Sequence, residues 1–142
     1  MPDGHDLERF VTAQDNGDVY RHAVAELRAG RKRTHWMWFV FPQIEGLGAS
    51  PTSRHFALAG IDEARAFLQH PVLGPRLVEC AGLVVAAAPA TAEEIFGAVD
   101  AMKLRSSMTL FSLAAPDQPT FAQVLDRFFE GQPDPETVRR AG

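Results

Sequence analysis

Seven consecutive residues, HWMWFVF from His35 to Phe41, show no polar face at either a helical or a strand period. A run that is apolar on every side has to be enclosed, so the rest of the chain must build around it. Thr34 is placed to cap it and Pro42 to stop it, which predicts a short buried helix rather than a strand. The next stretch, QIEGLGASPTSR from Gln43 to Arg54, is rich in turn formers and holds two glycines. A core needs the aromatics but has no use for His35, Gln43 or Ser50 beside them. The run therefore reads as the aromatic wall of a pocket, with the glycine loop as its rim.

Helical spacing dominates elsewhere, and alternating strand patterns are nearly absent. Leu7, Phe10 and Val11 form one stripe, with Asp6 available as cap. Tyr20, Ala23, Val24 and Leu27 form a second, ended by Gly30. SRHFAL predicts one helical turn, and IDEARAFLQH a helix with an exposed face. Leu73, Leu77, Cys80, Val84 and Ala87 line a longer one, which His70 is placed to cap. Thr91 and Glu94 have capping-box spacing before AEEIFG. AVDAMKLRSSMTLFSL predicts the longest helix. Pro119 or Thr120 opens another, closed by Gly131, and PDPETVRR makes a brief tail helix. The predicted fold class is all-α, with room for a very short strand pair. At 142 residues and with no repeat or linker, one domain over residues 1–142 is expected, with flexible ends at 1–5 and 139–142.

A formal net charge of −4 argues against a sequence-independent phosphate-backbone binder, which is ordinarily basic. The basic cluster Arg28, Arg31, Lys32 and Arg33 reads as the C-terminal turn of a helix offsetting its dipole. Nucleic acid is not the expected partner. The Met1 start lacks a basic-then-apolar leader, and no apolar run approaches the ~20 residues of a membrane helix. The expectation is a cytoplasmic protein with no membrane partner. Oligomeric state is not legible. Cys80 stands alone in an apolar stretch and reads as a packed thiol. The five histidines, among them His5, His22 and His55, show no ligand spacing, so neither a metal nor a cofactor is expected.

The chemistry-bearing candidates lie in two segments. On the longest helix Asp100, Lys103 and Ser107 fall at i, i+3 and i+7, one face shared with Leu104 and Phe111. Polar groups among inward-pointing residues suggest a pocket edge, where Lys103 binds an anion and Asp100 orients it or acts as an acid/base. The plainer account is a surface pair worth a few tenths of a kcal/mol. In the glycine loop, Gly46 and Gly48 permit close backbone approach, with Ser50, Ser53 and Arg54 as donors beside it. Turn formation alone also accounts for those glycines, since no dinucleotide fingerprint or P-loop is present. Trp36 or Trp38 would stack on a ring, His35 or Gln43 would hydrogen-bond, and Arg76 would join Lys103 in neutralising charge. Arg76 equally suits a stem packed on the core with its head in water.

The blocks THWMWFVFPQIEGLGASPTSRHFAL, EARAFLQHPVLGPRL and FGAVDAMKLRSSMTLF resemble, in order, the signature blocks of the bacterial family catalogued as domain of unknown function 1810. The resemblance runs from about Leu7 to Val138; where the family often has Ser, this chain has Thr34. It implies a small, mainly helical single-domain fold and carries no established reaction. A looser similarity, of size and helical character only, leads to the NADAR group, proteins proposed to act on NAD and ADP-ribose derivatives. The expectation is a binder or hydrolase of a small anionic metabolite, such as a nucleotide or ADP-ribose derivative. The alternative is a non-catalytic interaction module whose Trp-rich segment is core or partner surface.

Overall fold

The computed structural model describes residues 6–87 and 89–142, and within them the architecture is all-α. Helices α1 (Glu8–Asp15) and α2 (Val19–Arg28) are joined by a 3-10 turn, Asn16–Asp18, in which Gly17 takes a left-handed conformation. Short helices α3 (Met37–Val40) and α4 (Pro51–His55) flank the glycine loop. Then come α5 (Ile61–Gln69), α6 (Leu73–Ala86), α7 (Ala92–Phe96), α8 (Ala98–Ala114), α9 (Pro119–Phe129) and α10 (Pro135–Ala141). The expected strand pair amounts to one isolated parallel bridge between Ile44 and Leu58. No helix among the described residues is long and apolar enough to cross a membrane. The expected N-terminal flexible end, with His5, lies outside the described residues; 139–141 belong to α10.

Helix α8 is the scaffold. It packs against α5, α7, α9 and α10, while α6 closes the other side against α2, α5 and α9. Aromatics link these layers: half-buried Phe56 and buried Phe10, Phe67, Phe111 and Phe121 follow one another at ring-centroid distances of 5.7, 5.1, 5.5 and 5.7 Å. Such spacing adds ring–ring attraction to the burial of apolar area. The α6 stripe is core as expected through Val84, and Ala87 is half-buried. Cys80 is buried, and burial pushes its thiol up to about 12, so it stays protonated and unreactive.

Several local signals act as the sequence predicts. Thr91 and Glu94 close a capping box on α7. His70 Nδ1 accepts from the backbone N–H groups of Val72 and Leu73 at 3.1 and 3.3 Å, holding the entry to α6. Pro119 opens α9, with the Gln118 side chain as cap.

Other caps differ. Leu7, already helical, stands where Asp6 was expected. Trp36, not Thr34, precedes α3, because Glu26 already supplies the acceptor at that turn and takes the Thr34 hydroxyl at 2.6 Å. The predicted turn at SRHFAL begins earlier, at Pro51, because Ser50 Oγ accepts from Ser53 N and Pro51 presets the first helical φ.

Candidate functional site

The HWMWFVF run divides its side chains between the interior and a cleft. Trp36, Met37, Val40 and Phe41 are buried, whereas Trp38 is half-buried. Trp36 packs beside Phe41 and Phe96 and donates its indole N–H to Glu26 at 2.9 Å. Trp38 lines a cleft of about 420 Å³. One wall of the cleft is the loop from Gln43 to Gly48, another is the first half of α8, and the start of α10 closes it through Asp134 and Glu136. That volume falls in the range of small-molecule sites.

Lys103 leans over the Trp38 ring, its Nζ 4.0 Å from the ring centroid. The face of an indole attracts a cation, so this contact fixes the ammonium at the cleft wall. Asp100 holds Lys103 from behind at 3.2 Å and holds Lys32 at 2.8 Å. Lys32 in turn lies 5.2 Å from the Trp36 ring centroid and is 9% exposed at its side chain. Two ammonium groups thus share one carboxylate behind the cleft, whose own lining carries Lys103 and Arg54 together with Glu45, Asp134 and Glu136. Burial raises the Asp100 carboxyl, but hydrogen bonds and attraction from Lys32 and Lys103 outweigh it, and the net shift is downward. A carboxylate so held accepts a proton poorly near neutrality.

The glycine loop is fitted to its neighbours. Gly46 has φ +93°, and a methyl there would collide with the Arg140 guanidinium, which Glu136 anchors at 2.8 Å. A methyl at Gly48 would fall 2.8 Å from Ser53 Oγ. The tail that completes the cleft is docked on α8 by polar contacts. Ser106 Oγ donates to Asp134 at 2.8 Å, Asp134 N donates to Thr109 Oγ1 at 2.9 Å, and Arg105 donates to the carbonyls of Gln132 and Pro133.

Trp38, Gln43, Gly46, Gly48 and Lys103 therefore meet at one cleft. Asp100 stands behind it through its ion pair with Lys103. Ser50 is exposed and serves as the α4 cap, His35 is exposed, and Trp36 is in the core. Arg76 pairs with Asp15 at 2.9 Å, donates to Gln14 Oε1 at 3.1 Å, and sits 4.6 Å over the Tyr20 ring; it does not line the cleft. Its neighbour Tyr20 donates to Glu79, and burial pushes the phenol far up. No group of three or more His, Cys, Asp or Glu among the described residues is arranged to hold a metal ion.

Ser107 is fully buried, and its hydroxyl lacks a hydrogen-bond partner among the described residues. A buried unpaired hydroxyl destabilises, so Ser107→Ala is expected to unfold at an equal or higher urea midpoint, with a gain of up to about 1 kcal/mol. A loss larger than that would mean the hydroxyl is bonded in solution.

Four contributors escaped the sequence reading: Glu45, Glu136, Asp134 and Lys32. Lys32 was visible only as one of a basic cluster. A usable signal existed for the cleft's apolar rim, since Val99 and Met102 sit at i and i+3 and are 69% and 72% exposed. Large apolar side chains left open on a helix commonly mark a contact surface.

A family model described as "Protein of unknown function (DUF1810)" matches residues 4–141. The chain is also similar to a solved structure, that of the conserved hypothetical protein Rv1873 from Mycobacterium tuberculosis. Identity is 52%, 94% of each chain is covered, and the TM-score is 0.91. No curated protein matches the chain.

Proposed function

This chain belongs to the DUF1810 family of proteins of unknown function, and from that premise we propose that it binds a small anionic metabolite, a nucleotide or an ADP-ribose derivative, in the cleft beside Trp38. The observation that carries the reading is the meeting of a fixed cation with uncovered apolar surface: Lys103 leans on the indole within a cleft of about 420 Å³ whose rim includes exposed Val99 and Met102. A ligand with a planar ring and an anionic tail satisfies both demands. The ring covers Met102 and Val99, and the tail reaches Lys103 and Arg54. Arg54 has no ion pair of its own among the described residues.

Asp100 enters this reading as a positioning group that holds Lys103. Its lowered proton affinity speaks against a general base there, so the function proposed is binding, and hydrolysis is not part of it. A thermal-shift panel of nucleotides, NAD, ADP-ribose and simple phosphates tests the reading. A ligand present at about a hundred times its Kd adds about 2.7 kcal/mol to stability. Lys103→Ala is expected to weaken that ligand by roughly ten- to hundredfold in titration calorimetry. An unchanged affinity would remove Lys103 from the site, and a flat panel would sink the proposal.

A second reading, a protein-interaction surface, is favoured by the same exposed Val99 and Met102. It expects no ligand to stabilise the chain. It also expects self-association or complex formation that Met102→Asp abolishes.

A further inference from the structure

The only strand-like pairing in the described residues sits at the cleft and has a local consequence. Leu58 N donates to the Gln43 carbonyl at 2.9 Å, and Glu45 N donates to the Leu58 carbonyl at 2.8 Å, forming the bridge centred on Ile44. Side chains alternate along extended backbone, so residues 43 and 45 project to the same side, about 7 Å apart. Ile44 between them is buried, which locks the register. The bridge therefore holds an amide and a carboxylate side by side, and both line the cleft. Neither side chain has a hydrogen-bond or ion-pair partner among the described residues. The cations that line the cleft, Lys103 and Arg54, come from α8 and α4.

An amide offers one donor group and one acceptor, whereas a carboxylate offers two acceptor oxygens only. A carboxylate is satisfied at a ring edge when two N–H groups stand next to each other. Guanine presents N1–H and the 2-amino group in that way, with O6 alongside as an acceptor for the Gln43 NH₂. Adenine sets a ring-nitrogen lone pair next to its amino group, which places like partial charges against one carboxylate oxygen. Hypoxanthine keeps N1–H but lacks the 2-amino donor.

Resting on the nucleotide reading of the cleft, we infer that Gln43 and Glu45 form a base-reading edge selective for guanine-type purines, with Lys103 and Arg54 on the phosphate. Titration calorimetry with guanosine, inosine and adenosine monophosphates and with ribose 5-phosphate tests this on the full chain. The guanine nucleotide is expected to bind at least tenfold tighter than the adenine one, about 1.4 kcal/mol, with the inosine nucleotide between them. Glu45 is exposed, so Glu45→Gln is expected to keep the fold, checked by its thermal midpoint, while the guanine-to-adenine ratio falls to within about threefold of one. Equal or tighter binding of the adenine nucleotide by the unaltered protein overturns the base-reading edge and leaves the nucleotide site standing. An undiminished guanine preference in Glu45→Gln does the same. Binding of ribose 5-phosphate as tight as any nucleotide shows a phosphate site without base reading and overturns the edge. No binding of any of the four overturns the edge and the nucleotide reading together.

Discussion

Glu26→Ala is expected to lower the unfolding free energy by about 3 kcal/mol, read from the shift in urea midpoint at constant slope. One carboxylate organises the whole entry into the aromatic run. Its Oε1 accepts from Arg33 N at 2.7 Å, Thr34 N at 3.0 Å and Trp36 Nε1 at 2.9 Å, and its Oε2 accepts from the Thr34 hydroxyl at 2.6 Å. Truncation removes the acceptor of the indole N–H of a tryptophan that is 1% exposed, together with the acceptor of two backbone N–H groups and a hydroxyl. Burial pushes the carboxyl up, but the accepted hydrogen bonds dominate and hold it down at about 2 against an ordinary 4.5. A carboxyl depressed on folding stabilises above its unfolded value and loses that contribution as pH falls through 4.5 toward 2. With solvent screening discounted, the acid-sensitive share is about 2 kcal/mol. Glu26→Gln should therefore flatten the stability profile between those pH limits. A Glu26→Ala loss under about 1 kcal/mol would mean that the loop from Arg33 to Trp36 is held by packing alone.

Glu26 also explains which part of the site was legible. The α7 capping box and the α6 stripe depend on neighbours within a turn or two, so periodicity and spacing suffice to find them. Which indole faces the cleft does not. Helix α3 spans only four residues, barely one turn, and its orientation is set by distant partners: Glu26 takes Trp36, and Lys103 takes Trp38. Arg76 shows the same limit from the other direction. Its charge resembles that of Lys103 in the sequence, yet Gln14 and Asp15 on α1 engage it, 62 and 61 positions earlier. The contribution of α10 was equally invisible, because its return over α8 rests on the hydrogen bonds of Asp134 rather than on an apolar stripe. The aromatic run and the Asp100–Lys103 face were readable. Their meeting with the tail was not.

Two glycines of α6 should respond oppositely to the same substitution. Gly74→Ala is expected to cost about 3 kcal/mol or more, and Gly82→Ala to gain about 0.5–1 kcal/mol. At Gly74 an added methyl would run into the carbonyl oxygen of Leu68 and lie 2.9 Å from its carbon. Those are backbone atoms in the last turn of α5, so no rotamer change relieves the clash. Relief requires moving α5, which is packed against both α6 and α8. The corner is already tight: His70 turns the chain, its carbonyl accepts from Gly74 N at 3.0 Å, and its ring holds the next two N–H groups. At Gly82 nothing lies within 4 Å of the added carbon, so alanine only reduces the freedom of the unfolded chain. Both variants share a helix, a residue type and a replacement, so helix propensity favours alanine at each. Only the close approach of α5 separates them. Equal effects in urea denaturation would show that α5 and α6 do not meet backbone to backbone at Gly74. They would also undercut the placement of α8, which carries Lys103 into the cleft.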